Sequence, residues 1–99
     1  MTRIAEIAAL PDNQLTMLCR HVFLGERAVR YVEPTEEGIL AVSCGEDDHG
    51  DGSDDWLTAG FGTLAARDPS LRACPPIPLG QAAEREAADA PWSLTEVAE

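Results

Sequence analysis

An α+β fold is what this sequence predicts: a small antiparallel sheet of three or more strands with two or three helices packed on one face. Three observations carry that expectation. Ile4, Ile7, Ala8 and Leu10 recur at helical spacing before Pro11. Two β-rich runs, AVRYVE and ILAVSC, flank the turn PTEEG, and WLTAGFGTLAAR repeats large apolar side chains along one helical face. The 99-residue length and 44% apolar composition set one modest core in one domain over residues 1–99. Within it, residues 1–14 are expected to hold a helix and a turn, 15–92 the core, and 93–99 a tail.

Taken in order, Thr2 is placed to cap a helix over residues 3–10, and Pro11 to stop it. After the polar turn PDNQ, Leu15, Met17, Cys19 and His21 alternate with Thr16, Leu18, Arg20 and Val22. Both sides carry apolar groups, which suits a strand buried on two faces and is also compatible with a helix. Gly25-Glu26-Arg27 reads as a turn. AVRYVE and Ile39–Cys44 then form the two arms of an antiparallel hairpin. Trp56, Gly60 and Leu64, with Leu57, Phe61 and Ala65, fall at i, i+4 and i+8, with Asp54 and Asp55 as N-cap and first-turn acids and Arg67 near the C-terminus. Gly60 and Gly62 each weaken such a helix by about 1 kcal/mol relative to Ala, so packing has to hold it. Asp68-Pro69 ends it. ACPPIPLG is a proline-rich connector, QAAEREAADA a short helix with Ala82, Ala83 and Ala87 inward, and APWSLTEVAE a tail anchored by Trp92. Trp56, Trp92, Phe23, Phe61 and Tyr31 are the few large anchors of an otherwise aliphatic core.

The formal charge of −11 excludes unaided binding to nucleic acid or to an anionic membrane, whose phosphates would be repelled. Every positive side chain is Arg. The N-terminal MTRIAEIAAL lacks a signal-peptide pattern, because Glu6 interrupts the apolar stretch and no small-residue cleavage site follows. No run approaches the roughly 18 apolar residues of a membrane span. Three cysteines, an odd number, fit reduced thiols. A soluble, cytoplasmic domain is the expectation.

The most unusual segment is CGEDDHGDGSDD, residues 44–55. As a calcium loop it would need oxygen ligands at its first, third and fifth positions and a bidentate Glu at its twelfth. Counted from Asp47, the third position is His49 and the twelfth is Thr58, so the pattern fails at its strongest ligand. A soft-metal alternative uses Cys19, His21, Cys44 and His49, since two thiols and two imidazoles suit tetrahedral zinc. Cys19-x-His21 would lie on one strand face, but neither Cys–His spacing matches a usual zinc knuckle. Weak metal binding by His49 with the loop aspartates is the other form of this alternative.

Nothing points to an enzyme. Cys with His is the only nucleophile–base pair, and Cys44 with His49 is too local to imply a dyad. The carboxylates lie in no apolar setting, and no glycine loop is followed by Lys and Ser or Thr. No cofactor is expected. Protein recognition is left, with loop acids forming a negative rim around Trp56 and Tyr31.

A resemblance is carried by Cys19-x-His21-Val22, Gly25-x-Arg27-x-Val29-x-Tyr31-Val32, Cys44-Gly45-x-x-Asp48-His49, Asp68-Pro69-Ser70-Leu71, and Leu79-Gly80-x-x-Ala83-x-Arg85 through Pro91-Trp92. In order and spacing, over about residues 17–92, the chain resembles a family of small bacterial domains of unknown function, grouped with the immunity proteins of polymorphic toxin systems. The resemblance implies a non-enzymatic domain whose partner is a toxin domain, and it brings no catalytic residues or cofactor. Glu46, Asp47, Asp48, Asp51, Asp54 and Asp55, with Glu36 and Glu37, are the expected face for a basic partner. Edge pairing of the sheet could also assemble copies of the chain into a homo-oligomer.

Overall fold

Residues that alternate between apolar and polar become strands, and here they govern more of the chain than helical spacing does. The computed structural model describes residues 4–45 and 56–97. Its strands are β1 (Ile4–Ala5), β2 (Leu15–Cys19), β3 (Tyr31–Pro34), β4 (Leu40–Ser43), β5 (Trp56–Gly60), β6 (Ile77–Pro78), β7 (Gln81–Glu84) and β8 (Ser93–Glu96). Helices α1 (Arg20–Phe23) and α2 (Phe61–Arg67) are short, and 3-10 turns occupy Ile7–Ala9 and Pro69–Ala73. The class is α+β and mostly sheet. Among the described residues, a layer of two or three helices on one face is not confirmed.

Six strands form one sheet in the order β5-β2-β4-β3-β7-β8, and β1 pairs with β6 apart from it. The expected hairpin is β3–β4, antiparallel, with Val32 opposite Val42 and Tyr31 opposite Ser43. The Thr35 hydroxyl donates to the Ile39 carbonyl at 2.6 Å and braces its turn. The sheet is mixed rather than antiparallel throughout. Strand β4 returns from the hairpin into the gap beside β2, so β2 and β4 run parallel, with Leu18 opposite Val42. Thr16, Leu18, Leu40, Val42 and Val32 are buried at alternate positions of these strands, while Leu15 and Met17 between them are 47% and 37% exposed. Ile7, Phe61, Leu64, Leu71 and Ile77 fill the same core from the other elements.

Two expected helices are replaced and a third begins later than expected. Over residues 3–10 there is β1 and then the turn Ile7–Ala9, because Ile4 and Ala5 pair with Pro78 and Ile77 of the proline-rich connector. A helix of two turns has little stability alone, so this backbone pairing prevails. From Trp56 the chain runs as β5, paired with the whole of β2 from Cys19↔Trp56 to Leu15↔Gly60. Helix α2 begins only at Phe61, with Gly60 as its N-cap. The cap expected of Asp54 and Asp55 falls on residues outside those described. Finally, QAAE of the expected third helix is β7, held between β3 and β8 with Ala82 and Ala83 buried. Strand pairing overrides the helix propensity of its alanines. The tail after Trp92 continues as β8, an exposed edge strand.

The glycines at the β5–α2 junction have a steric reason. A Cβ on Gly60 would stand 2.8 Å from the Asp12 carbonyl oxygen, and one on Gly62 would stand 2.6 Å from the Asp12 Cβ. Phe61 N–H donates to the Gln14 carbonyl at 2.9 Å, and Gly62 N–H to the Asp12 carbonyl at 3.0 Å. The residues that weaken a helix are the ones that let the PDNQ turn close onto the chain. No described helix is long and apolar enough to cross a membrane.

Candidate functional site

Parallel pairing sends the C-terminal ends of β2 and β4 to the same edge of the sheet, and each end carries a thiol. Cys19 closes β2, and Cys44 follows β4 directly. Cys19 has extended backbone and serves as N-cap of α1, which turns the chain at once. His21 is therefore in a helical turn and not on a strand face with Cys19. The amides of Glu26 and Arg27 both donate to the His21 carbonyl, at 2.9 and 3.3 Å, and fold the chain back on itself.

That reversal brings Arg27 against the cluster. Its Nη1 lies 3.4 Å from His21 Nδ1 and donates to Cys44 Sγ at 3.5 Å. Cys44 Sγ lies 4.0 Å from His21 Nδ1. One donor atom from each of Cys19, His21 and Cys44 falls within 4.8 Å of the others. Cys19 and Cys44 are 0% and 1% exposed, whereas His21 is half-buried. Burial is the main reason that the Cys19 thiol is held above its ordinary pKa. Buried this deeply, neither sulfur presents itself as a nucleophile to a substrate in solvent.

Three of the four residues of the soft-metal alternative thus converge. His49 lies outside the described residues, as do Glu46, Asp47, Asp48, Asp51, Asp54 and Asp55. The segment that holds them leaves from Gly45, beside Cys44, and re-enters at Trp56, whose backbone is paired with Cys19. Glu36 and Glu37 are exposed at the β3–β4 turn. Trp56 is partly buried and packs against the core, and the Tyr31 hydroxyl donates to Glu33 Oε1 at 2.6 Å. Burial and the neighbouring Glu33 raise the Tyr31 pKa, so its hydroxyl is held protonated.

Three arginines reach back to protein acceptors. Arg67 Nη1 donates to the carbonyls of Val22 and Phe23 at 3.2 and 3.0 Å. Arg72 donates to the carbonyls of Ala8 and Leu10 and pairs with Asp12 at 3.1 Å. Arg85, 5% exposed, donates to the Val29 carbonyl and Ser70 Oγ, pairs with Asp68 at 2.9 Å, and lies 4.2 Å over the Trp92 ring. By contrast Glu26, Glu36, Glu37, Glu84, Glu86, Asp89 and Glu96 are exposed. Sequence reading had no access to the Asp68–Arg85 pair. Its one signal was a lone Arg between Glu84 and Glu86 in an alanine-rich segment, and it lies just past the end of β7.

Cys74 stands apart from the other two thiols. Burial pushes it up from the ordinary 9.0 to about 12, against the opposing effect of Arg85. Because the folded value is the higher one, the fold holds the neutral thiol. This contribution to stability is complete below about pH 9 and is lost as pH rises toward 12. Going from about pH 8 to about pH 10 should remove on the order of 1 kcal/mol through this group. Urea midpoints at the two pH values check this, since Cys74→Ala should show a correspondingly smaller alkaline loss.

The chain matches no protein-family model, no curated protein and no solved structure.

Proposed function

We propose that this is a non-enzymatic acidic domain that binds a basic protein surface, of the kind by which an immunity protein neutralises a toxin. The observation that supports it most directly is the division of charge: Arg67, Arg72 and Arg85 are engaged with backbone carbonyls and carboxylates, while most of the described acids stand outward. With a formal charge of −11, such a surface repels phosphate and draws a cationic protein. Glu36 and Glu37, with Glu46, Asp47, Asp48, Asp51, Asp54 and Asp55, form the interacting face. A basic nuclease toxin would meet in it the charge of its own substrate. Long-range attraction of this sort acts on the association rate, and salt screens it.

The test is to ask whether a neighbouring gene encodes a toxin-like protein and to measure binding to it. Association should slow by about tenfold or more between low and physiological salt. Changing Glu36, Glu37 and the loop acids to amides should produce a similar slowing at low salt, with dissociation little changed. A neighbouring gene that encodes no toxin would remove the immunity role. An association rate indifferent to both salt and the amide changes would remove the electrostatic face.

A further inference from the structure

We infer that Cys19, Cys44 and His21 form a binding site for a borderline-soft divalent cation, zinc above all, which cross-links the ends of β2 and β4 to α1. Two sulfurs and an imidazole nitrogen are the donor set of zinc rather than of magnesium or calcium, which take oxygen. Tetrahedral zinc with its usual bond lengths sets sulfur and nitrogen about 3.6 Å apart and two sulfurs about 3.8 Å apart. The observed 4.0 Å from Cys44 Sγ to His21 Nδ1, with all three donors within 4.8 Å, is a few tenths of an ångström to an ångström wider. A cation that draws the donors together closes that gap without moving a strand.

Position in the fold favours the same conclusion. Cys74 is equally buried but is not among the converging donors. Cys19 and Cys44 are instead delivered to one point by parallel strands, and an imidazole nitrogen faces the sulfur. His21 is half-buried, so the site has a solvent side by which an ion can enter.

Arg27 decides how the charges balance. Two thiolates and one divalent cation sum to zero, so the nearby guanidinium meets a neutral centre. Its N–H to Cys44 Sγ, 3.5 Å, can persist as a hydrogen bond to the ligand, the outer support that metal thiolates commonly receive. Its contact with His21 Nδ1 must break, because that lone pair goes to the metal. Binding exchanges the thiol protons of Cys19 and Cys44 for two sulfur–metal bonds and releases two protons to solvent, and no electron is transferred. Three protein donors leave a fourth position for water or another ligand.

The experiment uses the full chain, reduced and stripped with a chelator, and titrates it with Co(II). The expected result is the intense visible spectrum of tetrahedral cobalt with thiolate-to-cobalt charge transfer in the near ultraviolet. It should saturate at one Co(II) per chain and be bleached by equimolar Zn(II). Cys19→Ser and Cys44→Ser should each remove most of the charge transfer, and Cys74→Ser should leave it intact. Should either buried variant fail to fold by circular dichroism, the half-buried His21→Gln serves in its place. It should weaken Co(II) by more than the roughly 10- to 100-fold that loss of an outer partner costs. A pale octahedral spectrum without charge transfer means that only surface carboxylates hold the ion, and it overturns the site. So does an undiminished spectrum in His21→Gln, or equal bleaching by Cys74→Ser.

Discussion

Asp68→Ala is expected to lower the free energy of unfolding by about 3–5 kcal/mol, the range for removing one partner of a buried pair. The side chain of Arg85 is 1% exposed, and that of Asp68 is 26% exposed. Truncating Asp68 therefore leaves the better-buried cation without its counter-charge. Arg85 cannot turn to water, because Nε is held by the Val29 carbonyl at 2.9 Å, Nη1 by Ser70 Oγ at 2.8 Å, and the plane lies over Trp92. Asp68 has a second task, since its Oδ1 accepts from the Ser70 amide at the start of the turn Pro69–Ala73. Asp68→Asn keeps that acceptor and removes the charge, so it separates the two roles and should fall between the wild type and Asp68→Ala. Urea unfolding with an unchanged slope measures both. A loss below about 1 kcal/mol in Asp68→Ala would assign the pair to the weak class of exposed bridges.

That pair also shows why parts of the fold were legible in the sequence and others were not. The β3–β4 hairpin could be read because the information is local: two alternating runs around a short turn specify their own register. From Trp56 to Arg67 the expected helix holds only from Phe61, because the apolar residues before it satisfy two periods at once. Only β2, about forty residues earlier in the chain, selects strand for the first half by offering five backbone partners. The alanines of β7 likewise favour a helix until β3 and β8 lie on both sides of them. Non-local pairing decided each case, and no window of local sequence contains it.

The candidate site divides along the same line. Cys19, His21 and Cys44 were recognisable as residue types, because soft donors are scarce and easily picked out. What brings them together is the parallel register of β2 and β4, together with the reversal after α1. The sequence pattern placed Cys19 and His21 on one strand face. In the fold the imidazole reaches the sulfurs because the strand ends between them. Arg27, which the sequence pattern places in a turn and gives no part in a metal site, meets both His21 and Cys44. The net charge is the opposite case. Charge is additive and needs no register, so its sign was readable from composition.

Phe61→Ala should be about as damaging as Asp68→Ala, with an expected loss of about 3–5 kcal/mol. The ring is 0% exposed and sits at the junction where β5 becomes α2. Truncating it opens a cavity under that junction, where the Phe61 amide is tied to the Gln14 carbonyl and nearby glycines leave no side chains to fill the space. The Arg72 guanidinium also lies over the ring, 5.0 Å from its centre, while donating to the carbonyls of Ala8 and Leu10. One side chain therefore supports the core and the arginine that ties the N-terminal turn to the turn Pro69–Ala73. Phe61→Leu retains most of the volume and should lose about 1 kcal/mol. For a chain of this size each kcal/mol shifts the melting temperature by about 4–8 °C, so thermal and urea unfolding can resolve the two variants. If they lost stability equally, the ring contact with Arg72 would outweigh the cavity. A loss that scales with the volume removed instead makes Phe61 the packing residue on which the β5–α2 junction depends.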